Sequence, residues 1–181
     1  MNKKIAVLLS GNGSNLDAII KNGISISFVV SNNPKAPGLK IAQKSNIPTY
    51  SWKNLSSLEE HVSKLVKIHN INLVVLAGFM RLLSKEFINS LPQRSIINVH
   101  PSILPEFKGI NAIQQALENG AKYTGVTIHY VDEGMDTGEI IQQKSIKIDE
   151  YDTIKSLEKR LQALEHDLFP KVINSILSKI N

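Results

Sequence analysis

The sequence predicts an α/β fold, in which a single doubly wound, mostly parallel sheet carries helices on both faces. Short apolar runs alternate with segments whose apolar residues recur at helical spacing, as in repeated strand–helix units. Clusters rich in glycine, asparagine and proline separate these segments. The alternation favours parallel strands, because a helix must bring the chain back between them.

The first half of the chain follows this alternation closely. The first strand, Ile5–Leu9, is followed by a glycine-rich loop and then by Leu16, Ile19 and Ile20 at helical spacing. The other elements predicted before residue 70 are strands at residues 26–30 and 49–50, a helix at residues 38–45, and a helix with the apolar stripe Leu58, Val62, Leu65, Val66 and His69.

The second half begins with the most hydrophobic run, residues 73–77, which is predicted to be a central strand. Ser84 is predicted to cap the helix that follows. The remaining predicted elements are a helix at residues 84–91, a strand at Ile96–His100, a helix at residues 110–119, strands at residues 124–131 and 139–148, and a helix at residues 152–180. The last two strands are consecutive, so we expect a mixed edge in the C-terminal half of the sheet.

Length and composition indicate one soluble, cytoplasmic domain, residues 1–181. No apolar run approaches the roughly 18–20 residues that span a bilayer. The chain contains no cysteine, which excludes disulfides, thiolate metal sites and cysteine nucleophiles. The net charge of +5 is scattered, without an aromatic-interleaved basic patch. Small anionic molecules are therefore favoured as partners over nucleic acids or membranes.

Residues 96–109 contain the polar side chains most typical of an active site. Alternate residues of a strand share a face, so Asn98 and His100 point the same way, roughly 6–7 Å apart. Pro101 ends the ladder of hydrogen bonds, which leaves both side chains at the carboxyl end of a strand, where open α/β sheets bind ligands. The alternative is an amide that caps the strand end beside a structural histidine.

The loop after the first strand is a candidate phosphate site. Its glycines permit close approach of the backbone, and the free amides at the start of the next helix favour an anion. It lacks the Gly-Lys-Ser/Thr ending of a P-loop and the third glycine of a dinucleotide fingerprint. An ordinary strand-to-helix turn is the alternative. The loop residues in question are Gly11, Asn12, Gly13, Ser14 and Asn15.

Three further segments are candidates for ligand contacts. The turn after residue 77 combines Gly78 with apolar residues that could line a slot for a flat heterocycle or simply belong to the core. The acidic loop at residues 132–138 contains Asp136-Thr137-Gly138, which also spells the motif of aspartic proteases. That interpretation fails because the chemistry needs two such aspartates and the fold is wrong. Gln162 and Glu165 share one face of the last helix, where exposure to solvent is the default expectation.

The segment Asn98-Val-His-Pro-Ser-Ile-Leu-Pro, followed by Lys108-Gly109, resembles the catalytic signature of the folate-dependent formyltransferases. This family moves the formyl group of 10-formyltetrahydrofolate to an amine. Within it, the chain is most similar to the phosphoribosylglycinamide formyltransferase branch of de novo purine (IMP) biosynthesis. The resemblance covers nearly all the chain and implies a Rossmann-like formyltransferase fold, small-molecule substrates and no metal. The assembly is expected to be a monomer or a homodimer.

The resemblance also implies a role for each candidate residue. The catalytic residues would be Asn98, His100 and Asp136, with Asp136 as the partner of His100. The ribonucleotide would contact Gly11, Asn12, Gly13, Ser14, Asn15, Gln162 and Glu165. The folate would contact Met80, Arg81, Leu82, Leu83, Asn98, Asp132, Glu133, Gly134, Met135 and Asp136.

The mechanism implied by the resemblance uses the substrate's own amine as nucleophile. Asn98 would donate a hydrogen bond to the oxyanion, and His100 would either stabilise that oxyanion when protonated or carry a proton to the leaving nitrogen. Asp136 is expected to raise the pKa of His100. Many relatives have an arginine for the folate glutamate near residues 55–62, whereas this chain has none, so other groups must hold that part of the folate.

Three alternatives stay open at this stage. Methionyl-tRNA formyltransferase shares the Asn-His-Asp set but normally has an added tRNA-binding domain and lacks this glycine-rich loop. Formyltetrahydrofolate hydrolase shares the core but usually has an extra regulatory domain. A module that binds nucleotide or folate without turnover is the third. The bond before Pro105 is a candidate for the cis form, because such bonds occur in tight turns.

Overall fold

A seven-stranded sheet forms the centre of residues 3–180, which are the residues that the computed structural model describes. Along the chain the elements are β1 (Ile5–Leu9), α1 (Ser14–Lys21), β2 (Ile26–Ser31), α2 (Pro37–Lys44), β3 (Thr49–Ser51), α3 (Leu55–Ile68), β4 (Leu73–Leu76), α4 (Lys85–Asn89), β5 (Ile96–His100), α5 (Ala112–Glu118), β6 (Tyr123–Tyr130), β7 (Ile140–Lys147) and α6 (Ile154–Lys179).

The strand order is β3-β2-β1-β4-β5-β6-β7. All pairs from β3 to β5 are parallel, whereas β5 pairs antiparallel with β6 and β6 pairs antiparallel with β7. This confirms the predicted mostly parallel sheet with a mixed edge. The chain leaves β1 toward β2 on one side and later returns to β4 on the other. Open α/β sheets bind ligands at such a reversal of strand order.

Helices cover both faces of the sheet, as predicted. Along β1, Val7 packs into a core cluster shared with α1 and α6, while Leu8 packs into a second cluster shared with α3 and α4. Every residue of β1 is fully buried, which explains why its sequence is apolar at each position. Each helix within residues 3–180 is too short or too polar to span a membrane.

The helix ends differ slightly from the prediction. Ser84 caps α4 as expected by accepting a hydrogen bond from the backbone N–H of Phe87. However, α4 ends at Asn89 because Pro92 lies shortly beyond it and disfavours helical geometry in the preceding residue. Helix α5 starts only at Ala112, after Asn111 in the left-handed conformation. The Leu104–Pro105 peptide bond is cis.

Replacing Gly13 with alanine is expected to lower the free energy of unfolding by about 2–4 kcal/mol. Gly13 has a φ of 79°, and a Cβ there would lie 2.6 Å from the Cα of Gly38 in the neighbouring α2. Urea denaturation of both proteins measures the difference. Gly11→Ala is the matched control, because a Cβ at Gly11 meets no atom within 4 Å. Equal losses in the two variants would contradict this explanation.

Candidate active site

The carboxylate of Asp136 is the meeting point of the three predicted catalytic side chains. Its Oδ2 accepts a hydrogen bond from the backbone N–H of Gly109 at 2.8 Å and lies 3.4 Å from Nδ1 of His100. Its Oδ1 accepts one from Nδ2 of Asn98 at 3.5 Å. Asp136 has a φ of 52°, and this loop conformation between β6 and β7 presents the side chain to the end of β5.

A fourth polar side chain, His129, belongs to the same cluster. Its Nε2 lies 3.5 Å from Oδ1 of Asp136 and 3.3 Å from Nδ2 of Asn98, while its Nδ1 lies 2.8 Å from the carbonyl oxygen of Tyr130. The antiparallel register of β5 and β6 places His129 directly opposite Asn98. Nothing in the sequence singled out His129, because alternation along β6 does not reveal its register against β5.

His100 is held on its other side by the loop that follows β5. Its Nε2 lies 2.9 Å from the carbonyl oxygen of Phe107, a residue with a φ of 54°. That geometry favours a proton on Nε2, donated to this carbonyl. The imidazole is almost wholly buried, with a side-chain exposure of 7%. The ring is therefore fixed between a carbonyl on one side and a carboxylate on the other.

Asp136 acts on the pKa of His100 in the predicted, upward direction, but the net shift of that pKa is downward. Burial lowers the pKa of His100 below its ordinary value, because the buried imidazolium loses its hydration. The Phe107 carbonyl and the charge of Asp136 act in the predicted, opposite direction but do not outweigh burial. His100 is therefore neutral at physiological pH and able to accept a proton.

Asp136 stays ionised throughout the physiological range. Burial by itself raises its pKa, but hydrogen bonds from His129 and from the Gly109 backbone, together with the charge of His100, lower the pKa to about 2. A permanent negative charge thus lies beside the imidazole that would become charged during catalysis. Among residues 3–180, no cluster of histidine and acidic side chains has an arrangement suited to a metal ion.

The glycine-rich loop forms the start of α1, beside the carboxyl end of β1. Gly13 is the N-cap residue, and no side chain caps the helix, so the first amides of α1 lack an intrahelical or side-chain acceptor. Behind them, Nδ2 of Asn15 donates to Oε2 of Glu165 at 2.7 Å. The buried Oδ1 of Asn15 has no hydrogen-bond partner within residues 3–180. This acceptor suits a ligand that carries hydroxyl or amine donors.

Of the two candidate residues on α6, Glu165 contacts Asn15 and Gln162 does not. Glu165 has only 8% of its surface exposed, so the default expectation of an exposed carboxylate is wrong. Gln162 is half-buried and donates to Glu158 at 3.4 Å instead of joining Asn15 and Glu165. The apolar stripe of this helix, Leu161, Leu164 and Leu168, is buried in the core.

Replacing Glu165 with glutamine is expected to remove a pH-dependent loss of stability. Burial raises the pKa of Glu165 to about 7, against an ordinary value of 4.5, although Asn15 opposes this. Folding therefore favours the neutral carboxyl, and stability falls as the pH rises from about 4.5 to 7, by about 3 kcal/mol at most. The free energy of unfolding, measured between pH 4 and 8, should fall less in Glu165→Gln than in wild type. Parallel curves would contradict the assignment.

Residues 80–83, which are predicted to contact the folate, include apolar side chains that are exposed to solvent. Met80 and Leu82 expose 73% and 55% of their surface, and Met135 on the acidic loop exposes 52%. Arg81 is also exposed, whereas Leu83 is buried in the core. Exposed apolar side chains on loops are typical of a ligand site when they form a patch.

A cavity of about 400 Å³ lies between α4, β5 and the acidic loop. Its lining mixes apolar and polar side chains, and the polar ones come from the loop and from the segment before β5, which includes Asn89, Gln93, Arg94 and Ser95. The apolar lining includes Ile88, Leu91, Ile96 and Val131, and the loop contributes Asp132, Glu133 and Gly138.

The two acidic side chains at the start of this loop have protein partners. Glu133 pairs with Lys85 at 2.8 Å and accepts from Asn89 at 3.1 Å, both on α4 or its end. Asp132 accepts hydrogen bonds from Gly134 and Thr137 of its own loop. These contacts shape the loop that presents Asp136.

An amide, two imidazoles and a carboxylate that meet at the carboxyl edge of an open sheet are typical of an enzyme active site for small molecules. Comparison with known proteins identifies the kind of enzyme. Residues 3–173 match the family described as formyl transferase. The chain belongs to the formyl transferase family, as its motifs predicted.

Individual relatives support this assignment. Phosphoribosylglycinamide formyltransferase of Bacillus subtilis is 41% identical, over 99% of this chain and 97% of that protein. The human trifunctional purine biosynthetic protein adenosine-3 is 38% identical over 97% of this chain, which spans only 18% of that larger protein.

Solved structures agree. The crystal structure of phosphoribosylglycinamide formyltransferase from Bacillus halodurans has a TM-score of 0.92 and 38% identity, covering 98% of this chain and 96% of that one. The enzyme of the same name from Streptococcus pneumoniae has a TM-score of 0.91 and 35% identity, covering 97% and 99%. These values confirm the predicted formyltransferase fold.

Proposed function

We propose that this enzyme transfers the formyl group of 10-formyltetrahydrofolate to the amine of N1-(5-phospho-D-ribosyl)glycinamide, in de novo purine biosynthesis. The products are the N-formyl ribonucleotide and tetrahydrofolate. The observation that carries the proposal is the convergence of Asn98 and His100 on Asp136 at the carboxyl end of β5. The names of the relatives from Bacillus subtilis and other bacteria support the same reaction.

Each substrate has a set of proposed contacts. The ribonucleotide phosphate would bind the free amides of the glycine-rich loop, and its hydroxyl or amine donors would face the unpartnered Oδ1 of Asn15. The proposed ribonucleotide contacts are Gly11, Asn12, Gly13, Ser14, Asn15, Gln162 and Glu165. The proposed folate contacts are Met80, Arg81, Leu82, Leu83, Asn98, Asp132, Glu133, Gly134, Met135 and Asp136.

The reaction is an acyl transfer in which the amine nitrogen bonds to the formyl carbon and the bond from that carbon to N10 of the folate breaks. Negative charge develops on the formyl oxygen between these events. Asn98 has two N–H groups on Nδ2; one faces Asp136 and His129, and the other is free to donate to the oxyanion. We therefore assign Asn98 as the oxyanion donor.

The proton released by the amine must reach N10 of the folate. His100 is the proposed carrier, because burial keeps it neutral and able to accept that proton. Once protonated, the imidazolium is stabilised by Asp136, whose carboxylate lies 3.4 Å from its Nδ1. His129 would help to hold Asn98 and Asp136 in place.

The elements of residues 3–180 share one sheet, which supports a single formyltransferase domain.

The test follows the absorbance of the folate in purified enzyme with 10-formyltetrahydrofolate, with and without the ribonucleotide. Deformylation is expected only when the ribonucleotide is present, and His100→Ala should abolish it. His166→Ala is the matched control, because His166 lies on α6, outside the Asp136 cluster. Deformylation without ribonucleotide would indicate a hydrolase. Folate binding without turnover would reject the transferase and leave a binding module.

A further inference from the structure

The hydroxyl of Ser10 joins the two loops that the proposed function assigns to different substrates. Ser10 follows β1 directly and precedes the glycine-rich loop. Its Oγ donates to Oδ1 of Asn32 at 2.6 Å and accepts from the backbone N–H of Met80 at 2.8 Å. Asn32 follows β2 and Met80 lies in the loop after β4, and these strands are the two neighbours of β1. One side chain thus links the ends of three adjacent strands.

This hydroxyl uses both its donor and its acceptor function. Its single proton goes to Asn32, which leaves its lone pairs to accept from Met80. The backbone N–H of Ser10 also donates to the carbonyl oxygen of Gly78 at 3.0 Å. Gly78 is exposed with a φ of 72°, and a Cβ there would meet no atom within 4 Å. The base of the loop that holds Met80 therefore has open space beside Gly78, and hydrogen bonds with Ser10 connect this loop to the end of β1.

We propose that Ser10 couples the two substrate sites, so that each substrate binds more tightly when the other is present. This inference rests on the proposed function. A ligand in the glycine-rich loop restrains Ser10, and the restrained hydroxyl holds the N–H of Met80 at the start of the exposed folate segment. The second ligand then meets a loop that has already lost conformational freedom. Coupling of this kind is reciprocal, so the same factor applies to both ligands.

The test uses a pair of ligands that cannot react, tetrahydrofolate and N1-(5-phospho-D-ribosyl)glycinamide. Calorimetry gives the Kd of tetrahydrofolate with and without saturating ribonucleotide. In wild type, the ribonucleotide should lower this Kd by about fivefold or more, which is a typical coupling. In Ser10→Ala the ratio of the two Kd values should fall to within about twofold of one. Ser10→Thr keeps a hydroxyl and should restore the ratio.

The ratio separates coupling from a general structural effect. A variant that only distorts one loop raises the Kd of the ligand bound there by the same factor in both titrations. The ratio of the two Kd values is then unchanged. Ser178→Ala on α6, whose hydroxyl donates only within its own helix to Ser175, is the matched control and should keep the wild-type ratio. A wild-type ratio near one, or an unchanged ratio in Ser10→Ala, overturns the coupling. Neither result affects the proposed function, which the turnover assay tests separately.

Discussion

Replacing Asp136 with asparagine is expected to lower kcat for formyl transfer by about two to three orders of magnitude. The carboxylate receives the Gly109 N–H and faces His100 and Asn98. An asparagine would present an NH₂ group in place of one acceptor oxygen, so the Gly109 N–H or the Asn98 amide would lose its acceptor. It would also remove the charge that stabilises the His100 imidazolium after proton transfer.

The same substitution should shift the pH profile in a defined direction. Asp136 acts to raise the pKa of His100 against the larger effect of burial, so removing its charge lowers that pKa further. Activity requires neutral His100 and is lost as falling pH protonates it, so the acid limb of kcat/KM should move to lower pH in Asp136→Asn. Asp167→Asn, an exposed carboxylate paired with Lys171 on α6, should leave the profile unchanged. An acid limb that stays in place, or moves to higher pH, would contradict the role given to Asp136.

The sheet and its helices follow almost directly from hydrophobic patterning. Each predicted strand and helix is present, and the direct succession of β6 and β7 correctly predicted the antiparallel edge. Differences are confined to the ends of strands and helices, and at α4 and α5 Pro92 and the left-handed Asn111 decide the boundary. Patterning succeeds best for β1 and β4, which are buried on both faces and have no polar residue that could obscure the signal.

The local geometry of the site was predictable, but its long-range contacts were not. Alternation along β5 put Asn98 and His100 on one face, and the family signature brought in Asp136. The inclusion of His129 depends on its register opposite Asn98, which is set by the pairing of β5 with β6 and not by either strand alone.

Burial explains the two electrostatic results that the sequence did not predict. Glu165 is buried because Asn15, distant in sequence, lies against it at 2.7 Å. The pKa of His100 falls because the ring lies beneath the loop that contains Phe107. Sequence spacing reports which charges are near one another along an element, but it does not report how much water the fold removes from around them.

Replacing Asn98 with alanine should be about as damaging as the loss of Asp136, but in a different way. Removing one oxyanion donor typically lowers kcat about 10²–10³-fold. The substitution also removes the hydrogen bond from Nδ2 to Asp136 and the contact of Nδ2 with His129. The charges of His100 and Asp136 are unchanged, so the pH profile of kcat/KM should keep its shape while its height falls. Single-turnover measurements of deformylation across pH test both expectations.

The contrast between the two variants distinguishes the two roles. If Asn98 acts through the transition state, Asn98→Ala lowers kcat and leaves the Kd of tetrahydrofolate nearly unchanged, because this product has no formyl oxygen to contact. If Asn98 instead mainly positions Asp136, its removal should shift the acid limb in the same direction as Asp136→Asn. A loss of kcat without that shift would show that the Asn98 amide acts on the oxyanion. Control of the charge on the His100 imidazole would then belong to the Asp136 carboxylate.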